Sequence, residues 1–220
     1  MNKVDKLLTM LMELPLNFEI VEKELQTNEY TSEEISLVAC RFAEACFVEC
    51  RDFEESFGRL PQKEEVHGAY IYEVCEMLLK YGLNPNLIVD KSNIMYEIRY
   101  ADYKYAAAET MRLLLENGGN VDVDDGDEPL FMRLDFDIVF DVIELDNKVL
   151  FDQEFKLWIL MIGYGATITD NRCPVEVLDG FEVEQFKNFE NYTYEIEFTE
   201  NDWTMHIFDI RKNKEVAKIL

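Results

Sequence analysis

Hydrophobic side chains recur at helical spacing over most of this chain and change to strict alternation near its end. After Thr31, apolar residues recur every three or four positions as far as about Arg51. Together with the hydroxyl cap and the acids that follow it, this pattern predicts one long amphipathic helix. A further helix is predicted over residues 61–82, which begin with proline and end with glycine. The first 26 residues predict two short helices that are broken near Pro15.

Three of the predicted helical segments end in glycine and share one apolar pattern. When they are aligned on Gly82, Gly118 and Gly165, the positions three, four, five and seven before each glycine are always apolar: Leu79, Leu78, Met77 and Cys75; Leu115, Leu114, Leu113 and Met111; Ile162, Met161, Leu160 and Trp158. These offsets place the side chains on one buried helix face. The glycine suits the left-handed position that ends a helix. The pattern therefore predicts a repeat of helical units, with an insertion near residues 144–148 before the third copy.

One of these copies, residues 111–131, resembles an ankyrin repeat. Its leucine-rich helix ends in glycine, Asp125–Gly126 matches the finger turn of that family, and Pro129–Leu130 matches its Pro-Leu step. The threonine and histidine that flank this step in the family are absent. The resemblance covers about residues 63–178 and is to degenerate, bacterial ankyrin-like proteins. It implies a stack of helix pairs that presents a groove and fingers to other proteins, without a catalytic residue.

The last 40 residues change to a period of two, which is typical of strands. Three alternating segments are separated by polar turns near residues 200–202 and 212–214. They predict a three-stranded antiparallel meander that packs on the last helix pair. The predicted fold is thus mostly α. Residues 1–62 form an N-terminal helical cap, residues 63–180 form an ankyrin-like helix-pair solenoid, and residues 181–220 form a small C-terminal antiparallel β-meander.

The charge balance narrows the classes of partner. The chain has 220 residues, of which 46 are Asp or Glu and 21 are Lys or Arg, so the formal net charge is −25. A field of this sign repels nucleic-acid phosphates and anionic lipids, and it attracts basic proteins. We therefore expect another protein, a basic one, as the partner, and neither direct nucleic-acid nor membrane binding. The competing interpretation is that the acidity only keeps the protein soluble.

Two groups of side chains are predicted to bind this partner. Asp137, Asp141 and Glu144 fall on one predicted helix face at i, i+4 and i+7. The finger loop adds further acids on the same side of the stack: Asp122, Asp124, Asp125, Asp127 and Glu128. A stripe of tyrosines, a residue type enriched at interfaces, lies on the preceding predicted helix: Tyr96, Tyr100 and Tyr103. The competing interpretation of these tyrosines is a half-buried core edge.

Motifs for catalysis or metal binding are missing from the sequence. Neither His67 nor His206 has a serine or cysteine at a recognised catalytic spacing, and the five cysteines lack the paired spacing of a zinc site. Placing Gly126 at position six of an EF-hand loop would put valines at two liganding positions, so that calcium motif fails. No glycine-rich phosphate loop occurs. We therefore predict no catalytic residue, metal or cofactor, and no enzymatic activity.

The sequence favours a protein–protein interaction module in the cytoplasm. The number of cysteines is odd and most of them lie in apolar helical stretches, which predicts reduced thiols. The sequence has no run of 18 consecutive apolar residues, so we expect no transmembrane helix. A concrete form of this function is an inhibitor or immunity protein that neutralises a basic, nuclease-like toxin. The alternatives are an acidic regulator that mimics nucleic acid, an enzyme with an unrecognised carboxylate or metal site, and a structural protein without a specific partner.

Overall fold

The chain folds into two compact units, Met1–Gly126 and Asp127–Leu220. They are seen in a computed structural model, which describes residues 2–59, 61–100, 107–123, 148–166, 175–198 and 203–219. Each unit is described separately.

Unit 1 is built from six described α-helices: α1 (Lys3–Leu11), α2 (Phe18–Thr27), α3 (Ser32–Phe57), α4 (Ile71–Lys80), α5 (Ile94–Tyr100) and α6 (Ala107–Glu116). The 26-residue α3 is central, because it packs against α1, α4 and α5. Its start is capped as predicted: the Thr31 hydroxyl accepts the N–H of Glu34 at 3.2 Å, and the Glu34 carboxylate accepts the N–H of Thr31 at 2.9 Å.

The segment predicted as one helix over residues 61–82 is divided. Two short 3₁₀ turns, Lys63–Glu65 and His67–Tyr70, come before α4. The division occurs at His67, whose N–H donates to the Glu49 carboxylate on α3 at 2.7 Å. Because a side chain of another helix takes this N–H, it does not continue a helical hydrogen-bond ladder.

The predicted glycine stops are confirmed at all three helix ends. Gly82, Gly118 and Gly165 have φ of +103°, +92° and +85°. At each of them the residue after the glycine donates its N–H to a carbonyl five residues back, at 3.0 Å for Leu83 to Leu78, and the glycine N–H bonds three residues back. This is the Schellman arrangement, which satisfies the last carbonyls of a helix.

The prediction of a mostly α, ankyrin-like solenoid is wrong. The described residues form seven α-helices and a four-stranded antiparallel sheet. The helices are also not a series of equal pairs, since α3 has 26 residues and α5 has seven. The shared apolar stripe and glycine stop are properties of a single helix and its end. They do not specify which helix packs against which, so the repeat in the sequence did not determine the architecture.

Unit 2 combines α7 (Lys148–Gly163) with the sheet. The strands are β1 (Val175–Val177), β2 (Tyr192–Phe198), β3 (Trp203–Asp209) and β4 (Lys214–Ile219), in the order β1-β4-β3-β2. The three strands predicted from alternation are present, but the sheet has a fourth. β1 pairs Val175 with Ile219, and its three residues are too short to show a period.

One face of the sheet and two short turns cover α7. The ring of Tyr194 packs against Phe151 and Phe155 of α7, with ring centroids 4.8 and 4.7 Å apart. The 3₁₀ turn Val183–Lys187 also contacts α7. It comes so close that a Cβ on Gly163 would lie 2.7 Å from the backbone nitrogen of Lys187. Glycine at this position therefore permits the contact.

Candidate functional site

Most of the predicted partner-binding residues lie outside the described part of the chain. These are Tyr103, Asp124, Asp125, Asp127, Glu128, Asp137, Asp141 and Glu144. Tyr100 is the last residue of α5. Asp122 lies partly exposed in the loop after α6, where its N–H donates to the Asn120 side chain at 3.1 Å.

Tyr96 was predicted to bind a partner, but in the structure it is a core residue. Its side chain is 5% exposed, and its hydroxyl donates to the carbonyl of Val123 at 2.8 Å. A buried phenol with its hydroxyl already bonded offers little surface to a partner. The competing interpretation of the tyrosine stripe as core therefore holds for Tyr96.

A groove between α1 and α3 has the character of a binding site. It is a shallow, open depression of about 500 Å³, lined by Leu8, Arg41, Glu44, Ala45, Val48 and Glu49. The five residues from α3 fall at i, i+3, i+4, i+7 and i+8, so they share one helix face. Leu8, Ala45 and Val48 give this face an apolar strip, and Val48 is 39% exposed. We call this feature the α1–α3 groove.

Two carboxylates lie close to Arg41, the positively charged residue of the groove. Arg41 lies 3.7 Å from Asp5 on α1 and 3.3 Å from Asp90. Asp90 is brought there by a tight turn in which Val89 and Ser92 exchange backbone hydrogen bonds of 2.8 and 2.9 Å. The two central residues, Asp90 and Lys91, have φ of +50° and +68°, as a two-residue hairpin turn requires.

The remaining carboxylates give the groove a negative excess. Glu44 is exposed at one side. Glu49 is half-buried, and its Oε1 lies 2.8 Å from Nδ1 of His67, while Oε2 accepts the His67 N–H at 2.7 Å. Because an ionised carboxylate only accepts, the proton of the ring contact is on Nδ1. Both carboxylate oxygens of Glu49 thus bond to His67, which fixes this side chain at the lining of the groove.

His67 is 7% exposed, and its second ring nitrogen, Nε2, has no hydrogen-bond partner in the described structure. Its surroundings are apolar, since Cys50, Val66 and Ala69 form a buried cluster in this region. An Nε2 proton would be buried without an acceptor, which is costly. The hydrogen bond that the ring makes through Nδ1 orients Glu49.

The buried thiols of unit 1 are poor nucleophiles. Burial raises the pKa of the Cys40 thiol and that of the Cys75 thiol to about 12. Burial also raises the pKa of the nearby Glu97 carboxyl, which accepts a hydrogen bond from the Ser92 hydroxyl. A nucleophilic cysteine needs its thiolate form. Among the residues that the structure describes, no group of three His, Cys, Asp or Glu side chains is placed to hold a metal ion.

The sequence contained a signal for the groove that the repeat pattern obscured. Residues 41, 44, 45, 48 and 49 mix charged and apolar side chains on the side of α3 opposite Phe42, Cys46 and Cys50, which are buried. In the sequence alone a single exposed valine on such a face is ordinary, so the signal was weak. The contribution of Leu8 and Asp5 from α1 required the tertiary structure.

In the described part of the chain, no helix is long and apolar enough to cross a membrane. No protein-family model, no curated protein sequence and no solved structure matches this chain.

Proposed function

We propose that this protein binds a basic segment of another protein in the α1–α3 groove. The observation that carries the proposal is the combination of an apolar strip with fixed, unbalanced carboxylates on one face of α3. Around the groove, Arg41 pairs with Asp5 and Asp90, and Glu44 and Glu49 add two further carboxylates, so the acids outnumber this cation. The net charge of −25 supports the same class of partner.

The groove suits a segment that carries both a cation and an apolar side chain. Lysine or arginine would pair with Glu44, whose carboxylate is exposed. An aliphatic side chain would cover Val48 and Leu8 and remove them from water. Glu49 would act as a fixed second acceptor, because His67 already restricts its rotamer and little entropy is lost on binding.

An inhibitor or immunity protein is the form of this function that we favour. A nuclease-like toxin has a basic surface for nucleic acid, and an acidic protein bound over that surface would block it. The acidic charge equally supports a regulator that mimics nucleic acid. Both forms would compete with duplex DNA for the partner, so they differ in the partner's activity: the inhibitor's partner cleaves nucleic acid, and the mimic's partner binds DNA without cleaving it.

The test compares two charge reversals that change the net charge equally. Glu44→Lys reverses a charge in the groove, and Glu76→Lys reverses an exposed acid on α4 as the matched control. Each protein is used to capture basic proteins from a lysate of the host at low salt, and bound proteins are eluted with a salt gradient. The captured protein is then purified and its affinity for each variant is measured.

We expect one basic protein whose affinity falls by roughly tenfold or more with Glu44→Lys and by less than about twofold with Glu76→Lys. Equal affinity for the two variants would show that the groove is not the binding site. Nuclease activity of the captured protein that is lost when this protein binds would favour the toxin inhibitor, and DNA binding without cleavage would favour the nucleic-acid mimic.

A further inference from the structure

The strand β2 lies at the edge of the described sheet. The order β1-β4-β3-β2 leaves it paired with β3 alone in this part of the chain. Its seven residues, Tyr192–Phe198, are long for an edge strand, and the side chains at Thr193, Glu195 and Glu197 are exposed. Such an edge carries a row of backbone donors and acceptors that another strand can use.

The register identifies which backbone groups point outward. Tyr192 lies opposite Asp209, and the N–H of Ile210 donates to the carbonyl of Asn191 at 2.9 Å. In an antiparallel ladder this makes Tyr192 a position that is not hydrogen-bonded to β3, and the same holds for every second residue after it. The N–H and C=O groups of Tyr194 and Ile196 therefore face the open edge.

The side chains along this edge select a partner by charge. Glu195 and Glu197 lie on the exposed face, and the Glu197 side chain is 72% exposed. The backbone N–H and C=O groups of Glu195 and Glu197 bond to β3 and not to the open edge. A residue of an added antiparallel strand that lies opposite either glutamate would therefore form a non-hydrogen-bonded pair with it. Opposed side chains are closest in such pairs. Lysine or arginine at alternate positions of the added strand would meet both carboxylates.

We propose that β2 binds a strand with alternating basic residues from another protein by antiparallel strand addition. A second copy of this chain fits the same edge less well, because antiparallel β2–β2 pairing centred on Glu195, Ile196 or Glu197 sets glutamate against glutamate, which is destabilising. On the other face, Tyr194 and Ile196 are half-buried, so apolar side chains of the added strand would extend that face. This surface belongs to unit 2 and does not depend on the groove of unit 1.

The test uses peptides of one composition with the full chain. The first probe is a short, acetylated and amidated peptide in which lysine and valine alternate. The second, the blocked peptide, has all its lysines in one half and all its valines in the other. It has the same net charge as the alternating peptide but lacks the alternation of basic and apolar residues. Binding is followed at about 150 mM salt by NMR of the backbone amides, because screening at this ionic strength weakens non-specific attraction.

Two double variants locate the binding. Glu195→Gln with Glu197→Gln removes the edge charges, and Glu182→Gln with Glu184→Gln is the matched control at exposed positions of the same unit. All four residues are exposed, so we expect the variants to fold. Glu44→Lys is included as well, because it separates this surface from the groove.

The alternating peptide should shift the amide resonances of β2 and bind at least about fivefold more tightly than the blocked peptide. The edge variant should lose about fivefold in affinity, while the control variant and Glu44→Lys should retain it. Equal binding of both peptides, shifts confined to other residues, or no binding at about 1 mM peptide would each overturn strand addition. Loss of binding with Glu44→Lys alone would assign the peptide to the groove.

Discussion

Two buried polar side chains, Asn93 and Asp209, are hydrogen-bonded to nearby backbone groups. Asn93 is fully buried, and its amide donates to the carbonyls of Pro85 and Leu87 at 2.8 and 3.1 Å while it accepts the Met95 N–H at 2.8 Å. Asp209 is fully buried at the end of β3, where it accepts the backbone N–H of Arg211 at 2.9 Å. Such groups fix local geometry because each lost partner leaves a buried group unpaired.

Asp209 gives the first prediction at the scale of residues. Its carboxylate also accepts the Arg211 side chain at 2.9 and 3.1 Å, and these bonds lower the pKa of Asp209 to about 2. Asp209→Asn should reduce the free energy of unfolding of unit 2 by about 1–3 kcal/mol at pH 7. The loss can be followed by tryptophan fluorescence, because Trp158 and Trp203, the two tryptophans of the chain, lie in this unit.

The pH dependence of this effect has a definite sign. A lowered pKa stabilises the folded state above the ordinary value of 3.8, and the contribution is lost as the pH falls toward 2. The difference between wild type and Asp209→Asn should therefore narrow over that range. Asp179→Asn, at an exposed position, should change stability by less than about 0.5 kcal/mol. A constant difference down to pH 2 would contradict the role of the carboxylate.

At the scale of elements, each of three helices ends where the local sequence places a glycine. All three glycine stops have positive φ and the same pair of backbone hydrogen bonds. The loops after α4 and α6 are also joined, because the Asn86 side chain donates to the Gly118 carbonyl at 2.8 Å and accepts the Asn120 N–H at 2.6 Å. The backbone of Gly118 therefore takes part in both a helix end and a contact between loops.

Replacing Gly118 with alanine tests the left-handed conformation alone. A Cβ at this position would have no atom within 4 Å, so the cost comes from the φ of +92° and not from a clash. We expect Gly118→Ala to lower the free energy of unfolding of unit 1 by about 1–2 kcal/mol in chemical denaturation. Gly118→Asn should cost less, since asparagine tolerates positive φ better. Equal losses for both substitutions would exclude backbone strain as the cause.

At the scale of the whole molecule, the negative charge acts in opposite directions on folding and on binding. A net charge of −25 within a chain of 220 residues destabilises the compact state through repulsion. The same charge speeds the encounter with a basic partner. Salt screens both effects, so it should strengthen the fold and weaken the proposed complex.

This opposition gives a prediction that needs no partner. Raising sodium chloride from about 10 to about 150 mM should raise Tm by roughly 2–4 °C, which corresponds to about 1 kcal/mol for a chain of this size. Differential scanning calorimetry measures the change, and an uncharged osmolyte at equal osmolality is the control. A Tm that does not change with salt would show that the acidic groups are too far apart to repel one another significantly.

The sequence by itself determined the features that depend on residues close together in the chain. The cap at Thr31 and Glu34, the three glycine stops and the strands β2, β3 and β4 were all predicted and are present. Each depends on backbone geometry within one or two turns or on a period of two, so a single segment contains the information. The net charge, and the class of partner expected from it, also require only composition.

Only the tertiary structure decided how these elements combine. The shared stripe and glycine stop predicted a solenoid, but the chain adds a four-stranded sheet whose short β1 has no recognisable period. The α1–α3 groove depends on Glu49 with His67, 18 residues apart, and on Arg41 with Asp90, 49 residues apart. Local patterns do not encode such pairings, because burial of an apolar face is equally favourable against many surfaces until packing and hydrogen bonding select one.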